Sequence, residues 1–188
     1  MSTPSSAHKG INFAELHCLS NYSFLRGASH PEELVERAHE LGYQAIALTD
    51  ECTYSGLVKA HIAAEKLGIK LIVGAEFAFK TSPSGNSVTE KLVLLAPTRS
   101  AYGQLSAFIS ALRRRAKKGS YSAELKDFSF GLKECLALWI PYQRSIDQQV
   151  AIGQQLKAEL PQLWVALELV QHGQYLDKTA HILTLSSR

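Results

Sequence analysis

The chain has 188 residues, 46% of them hydrophobic and 20% charged, which suits one globular domain with a real core and excludes a disordered or fibrous protein. A formal charge of +3 is compatible with a nucleic-acid partner and too weak to require one. Cys18, Cys52 and Cys135 are scattered without a Cys-x-x-Cys pair, and no apolar run reaches transmembrane length, so a disulfide scaffold and a membrane span are both excluded and a cytoplasmic location is expected.

Residues 1–10 are polar and Ser-rich and read as a disordered leader with no secretory signal. Ile11 to Leu19 alternates as a strand. A helix start follows, with Ser29 as N-cap, Pro31 in the first turn and Glu32 closing a capping box. Leu34, Ala38 and Leu41 form its apolar face, and Gly42 ends it. Ala45 to Thr49 reads as a buried parallel strand. The pattern repeats with a helix over Ser55–Leu67, Gly68 as its stop, and a strand from Leu71 to Val73 that Phe77 to Lys80 carries into a turn at Ser82–Asn86. A strand over Lys91–Ala96 and an amphipathic helix over Ser100–Arg115 come next, the helix with Leu105, Phe108, Ile109 and Leu112 on one face. Leu136–Ile140 reads as a strand, Ile146–Leu160 as a helix and Leu163–Val170 as the last strand.

Such alternation predicts an α/β domain over residues 11–188 built from parallel β/α units, either an open doubly wound sheet or part of a closed barrel. Gly42, Gly68 and Gly74 form no Gly-x-Gly-x-x-Gly loop, which weakens the nucleotide-binding versions of such a fold. Asp177 to Arg188 begins a helical pattern with no cap and no following strand, so the expectation is a fragment or a truncated product with an unfinished barrel and an aggregation-prone strand edge.

Functional groups of β/α barrels sit at the C-terminal ends of strands. His17, the pair Asp50-Glu51, and Glu76 fall at three such places and together suggest a divalent-metal nest. Each has a structural alternative: Asp50 as a cap of the following helix, His17 as a hydrogen-bonded residue at a barrel mouth. Glu76 lies in an apolar stretch, where a buried carboxylate needs a partner. Cys18 should face away from His17 because strand side chains alternate. Arg113, Arg114, Arg115, Lys117 and Lys118 gather at a helix C-terminus, where cations offset the helix dipole; contact with a DNA backbone is the alternative. Trp139 and Trp164 read as core.

The stretch from Leu16-His17-Cys18-Leu19 through Tyr22-Ser23-Phe24-Leu25-Arg26-Gly27 to Ser29-His30-Pro31 resembles the opening of error-prone C-family DNA polymerases, which are related to the DNA polymerase III α-subunit. Ala47-Leu48-Thr49-Asp50-Glu51-Cys52, Leu71-Ile72-Val73-Gly74-Ala75-Glu76-Phe77, Leu92 to Ala96 and Arg113 to Tyr121 are similar to the same family. The resemblance implies a PHP (polymerase and histidinol phosphatase) domain, a distorted (β/α)7 barrel, here incomplete at the C-terminus. Active relatives hold Zn²⁺ or Mn²⁺ at the barrel mouth, and a parent polymerase would use Mg²⁺ elsewhere. Against that family's ligand pattern, a second histidine is replaced by Leu19, an acidic residue by Arg26, and two further histidines by Glu51 and Lys91, leaving His17, Asp50 and Glu76 as vestigial ligands. The resemblance therefore implies a non-catalytic scaffold needing no cofactor of its own. Its partners would be the remaining polymerase domains, DNA through the parent enzyme and damage-response accessory proteins, with no membrane. A stand-alone phosphoesterase of histidinol-phosphatase type and a decayed remnant without activity are the alternatives.

Overall fold

A computed structural model describes residues 13–81, 89–142 and 145–167. The expected leader, the Ser82–Asn86 turn, the end of the last strand and the Asp177–Arg188 segment lie outside the described residues.

The described elements run β1 (Ala14–Cys18), α1 (Pro31–Glu40), β2 (Ala45–Leu48), α2 (Leu57–Leu67), β3 (Lys70–Lys80), β4 (Thr89–Ala96), α3 (Arg99–Arg114), a 3₁₀ turn (Leu125–Ser129), β5 (Leu136–Ile140), α4 (Ile146–Glu159) and β6 (Leu163–Val165). They build one curled six-stranded sheet in the order β1-β2-β3-β4-β5-β6.

Not every strand is parallel, as the alternation suggested. β1, β2 and β3 are parallel neighbours, as are β5 and β6, but β4 is antiparallel to both β3 and β5. The β3–β4 connection, residues 81–88, is too short for a crossover helix, so β4 must return alongside β3. β3 is also one unbroken strand, because Val73 through Lys80 pairs residue for residue with Ala96 through Thr89.

Local starts and stops differ slightly from expectation. The α1 N-cap is His30, whose backbone N–H donates to the Glu33 carboxylate at 2.8 Å, so the box is closed by Glu33 and not Glu32. Pro31, Val35 and Ala38 form the buried stripe of α1, and Leu41 is exposed. Gly68 ends α2 in the left-handed region at φ 70°, where a Cβ would be strained.

Strand alternation divides the sheet into two faces. Phe77, Phe79, Leu92, Leu94 and Trp139 lie on the outer face and pack with Leu105, Phe108 and Leu112 of α3 and with Ile152 and Leu156 of α4. A smaller cluster joins Ile46 and Leu48 of β2 to α1 and α2 through Val35, Ala38, Ala60 and Ala64. Trp139 is core as expected, whereas Trp164 is half exposed on β6. Ala47, Val93 and Leu95 line the opposite, concave face, and Glu76 and Lys91 share its strand parity near the ends of β1 and β2.

Candidate functional site: a salt-bridged barrel mouth

Glu76 is wholly buried, and its side chain must therefore be paired. Arg26, on the loop between β1 and α1, provides the pairing. Its Nη1 meets Glu76 Oε1 and its Nη2 donates to Oε2 at 3.0 Å, a two-pronged fit suited to a planar guanidinium. His17 Nε2 donates to Oε2 at 2.7 Å from β1, and Lys91 Nζ stands 4.0 Å from the same oxygen on β4. Burial disfavours the Glu76 carboxylate, but the His17 and Arg26 hydrogen bonds and the Lys91 charge outweigh it and hold its pKa down at about 2.

Arg26 also donates to Glu51 at 2.8 Å. The other Glu51 oxygen accepts from the Tyr121 hydroxyl at 2.8 Å, and that hydroxyl accepts the Ala78 N–H at 2.8 Å. The end of β1, the turn after β2, the middle of β3 and a distant loop are thus tied together around one guanidinium.

Asp50 faces another way. Its carboxylate accepts from the Ser20 N–H (2.8 Å), the Ser20 hydroxyl (2.6 Å) and the Ser23 hydroxyl (2.7 Å), pinning the loop that carries Arg26. It does not cap α2, whose N-cap is Gly56. The same loop closes so tightly that a Cβ at Gly27 would lie 2.0 Å from the Ser20 carbonyl oxygen, so only glycine fits. Of the expected nest, His17 and Glu76 meet directly, while Asp50 belongs to a neighbouring network.

The donor set does not fit a divalent cation. Both Glu76 oxygens are engaged by Arg26, the His17 nitrogen nearest them is spent on the same carboxylate, and Lys91 adds a second positive charge. Among the described residues no group of three or more His, Cys, Asp or Glu side chains is arranged to hold a metal. The cysteines are poor candidates too. Cys18 packs with the α1–α2 cluster, away from His17, and burial pushes the Cys52 thiol up to about 12.

The basic cluster separates into different roles. Arg113 donates to the backbone carbonyls of Cys52 (3.0 Å) and Glu51 (3.1 Å) and lies over the Tyr121 ring, 5.5 Å from its centroid. Arg115 pairs with Asp127 and donates to the Ser122 carbonyl at 3.1 Å. Arg114, Lys117 and Lys118 are exposed. Sequence reasoning missed Tyr121, Ser20 and Ser23 as members of the site; the Ser-x-x-Ser spacing in a polar turn was the available signal.

The PHP domain family pattern matches residues 15–184. The chain belongs to the PHP domain family. This PHP domain is 45% identical over 157 residues to an error-prone DNA polymerase of Saccharophagus degradans, a match that covers 84% of this chain and 15% of that protein. It is 48% identical over 179 residues to an error-prone DNA polymerase of Dechloromonas aromatica, covering 92% of this chain and 16% of that one. The similarity falls in the N-terminal part of such polymerases, and the PHP domain spans about 15% of the length of the curated relatives it matches. The fold is similar to that of an amidohydrolase from Chromobacterium violaceum at TM-score 0.69 and 19% identity, covering 93% of this chain and 83% of that one. Among the described residues no helix is long and apolar enough to cross a membrane.

Proposed function

We propose that this PHP domain is the non-catalytic scaffold module of an error-prone DNA polymerase serving damage-induced translesion synthesis. In this reading it forms most of a distorted (β/α)7 barrel and packs against the remaining polymerase domains in the cytoplasm. Mg²⁺-dependent nucleotide addition would take place on carboxylates outside this chain, and accessory proteins and DNA would be met through the assembled enzyme. The observation that carries the inert-mouth reading is the Arg26 fork on buried Glu76. A guanidinium there supplies the positive charge that relatives obtain from a metal, but it offers no open coordination position to activate water.

A rival reading is a stand-alone phosphoesterase, favoured by the direct contact between His17 on β1 and Glu76 within β3. Hydrolysis of a chromogenic phosphate ester by the full chain with added Mn²⁺ or Zn²⁺ separates the two. The scaffold reading predicts no turnover and no template extension. Turnover abolished by Glu76→Gln would contradict it.

A further inference from the structure

Phe24 is 82% exposed, yet both of its flanks are fixed. On one side buried Ser23 donates to Asp50 at 2.7 Å and accepts the Glu51 N–H at 2.9 Å. On the other, Arg26 is held by Glu76 and Glu51. The Arg26 and Gly27 N–H groups close back on the Ser23 carbonyl at 3.0 Å, and Leu25 sits at φ 62°, a conformation disfavoured for a leucine. An aromatic ring is thus held out to solvent on a loop already ordered, so binding against it costs little further ordering.

Phe24 lines an open cleft of about 700 Å³ between this loop and residues 119–121. Its lining includes the hydroxyls of Ser23, Thr53, Ser55, Ser120 and Tyr121, of which Ser23, Ser120 and Tyr121 already donate to Asp50, the Lys117 carbonyl and Glu51. Thr53 and Ser55 are hydrogen-bonded to each other at 2.7 Å, which uses one hydroxyl hydrogen and leaves the other for a ligand oxygen. Between residues 113 and 120 there are five cations and no acid. Lys117 and Lys118, directly before the cleft-lining Gly119 and Ser120, are exposed. Glu51, the acid in the cleft, is already matched by Arg26 and the Tyr121 hydroxyl.

We propose that this cleft binds single-stranded nucleic acid, with Phe24 stacking on one unpaired base and Lys117 and Lys118 contacting the backbone phosphates. An aromatic face beside cations and hydroxyls suits an unpaired nucleotide, whose base stacks while its phosphate meets charge. A duplex hides its base faces from such a platform. An apolar protein segment would make no use of the neighbouring Lys117 and Lys118 charges. The inference rests on the polymerase-module reading only for the presence of nucleic acid nearby.

The test is fluorescence anisotropy of the full chain with a labelled oligothymidylate and, separately, with a duplex of equal length. The single strand should bind more tightly than the duplex. Phe24→Ala should weaken it by about tenfold while Phe24→Tyr retains it. Replacing Lys117 and Lys118 with Ser should reduce the slope of log affinity against log salt by roughly 1.4, the effect of two phosphate contacts. Affinity unchanged in Phe24→Ala, or a duplex bound as tightly as the single strand, overturns the proposal. Phosphate-ester turnover would defeat the scaffold reading and leave these affinities standing; absent oligonucleotide binding would do the reverse.

Discussion

The Arg26 guanidinium spans both carboxylate oxygens of Glu76, a side chain with no solvent exposure, and so fastens the loop after β1 to the middle of β3. Removing one member of such a pair strands the other as a buried charge. Arg26→Ala should therefore destabilise the chain by about 3 kcal/mol, the low end of the range for broken buried pairs, because 29% of the Arg26 side chain reaches water. Arg26→Lys should fall between, since an ammonium cannot reproduce the fork. Urea denaturation of the three proteins checks the order.

Acid should loosen the same contact. The folded pKa of Glu76, about 2, lies below its ordinary 4.5, so on acidification the unfolded chain takes up the proton first. The stability contributed by the carboxylate is complete above about pH 4.5 and is lost as pH falls toward 2. Glu76→Gln should flatten the loss of stability between about pH 5 and about pH 3, leaving the weaker share from Asp127, whose pKa is also lowered. Equal slopes for the two proteins would count against this.

Asp50 is expected to be structural. Asp50→Ala leaves the Ser20 N–H and the hydrogens of two buried hydroxyls without an acceptor and should cost about 3 kcal/mol, whereas Ser23→Ala should cost about 1 kcal/mol. Thermal unfolding measures both. Near-equal effects would argue that the carboxylate does not organise the loop.

The basic cluster should divide in the same way. Arg113→Ala breaks two hydrogen bonds to the turn after β2 and a ring contact, and should cost about 2 kcal/mol. Lys117→Ala, on the surface, should stay within about 0.5 kcal/mol of the parent. Paired denaturation curves decide whether Arg113 belongs to the scaffold.

Much of this was legible in the residues. Apolar runs and Gly stops located the strands and helices, and strand-end logic picked out His17; Glu76, expected just after a strand ending at Val73, lies inside β3 but does meet His17. The direction of β4 was not legible, because period-2 alternation describes a strand without saying which way it runs; the length of the 81–88 connection carried that information. The Ser20 and Ser23 partners of Asp50 were not legible, because a carboxylate at a strand end looks the same whether it faces the mouth or the preceding loop. Arg26 could be seen to place charge where a ligand was expected, but not to reach Glu76, 50 residues away. Likewise Arg113 read only as a cation offsetting a helix terminus, because its carbonyl partners on Glu51 and Cys52 come together only in the folded chain.

The most direct measurement is calorimetric titration of the full chain with Mn²⁺, beside the same titration of Arg26→Ala. With the guanidinium seated on Glu76, the parent should show no stoichiometric binding. Tight, one-to-one uptake by the parent that disappears in Glu76→Gln would contradict the account.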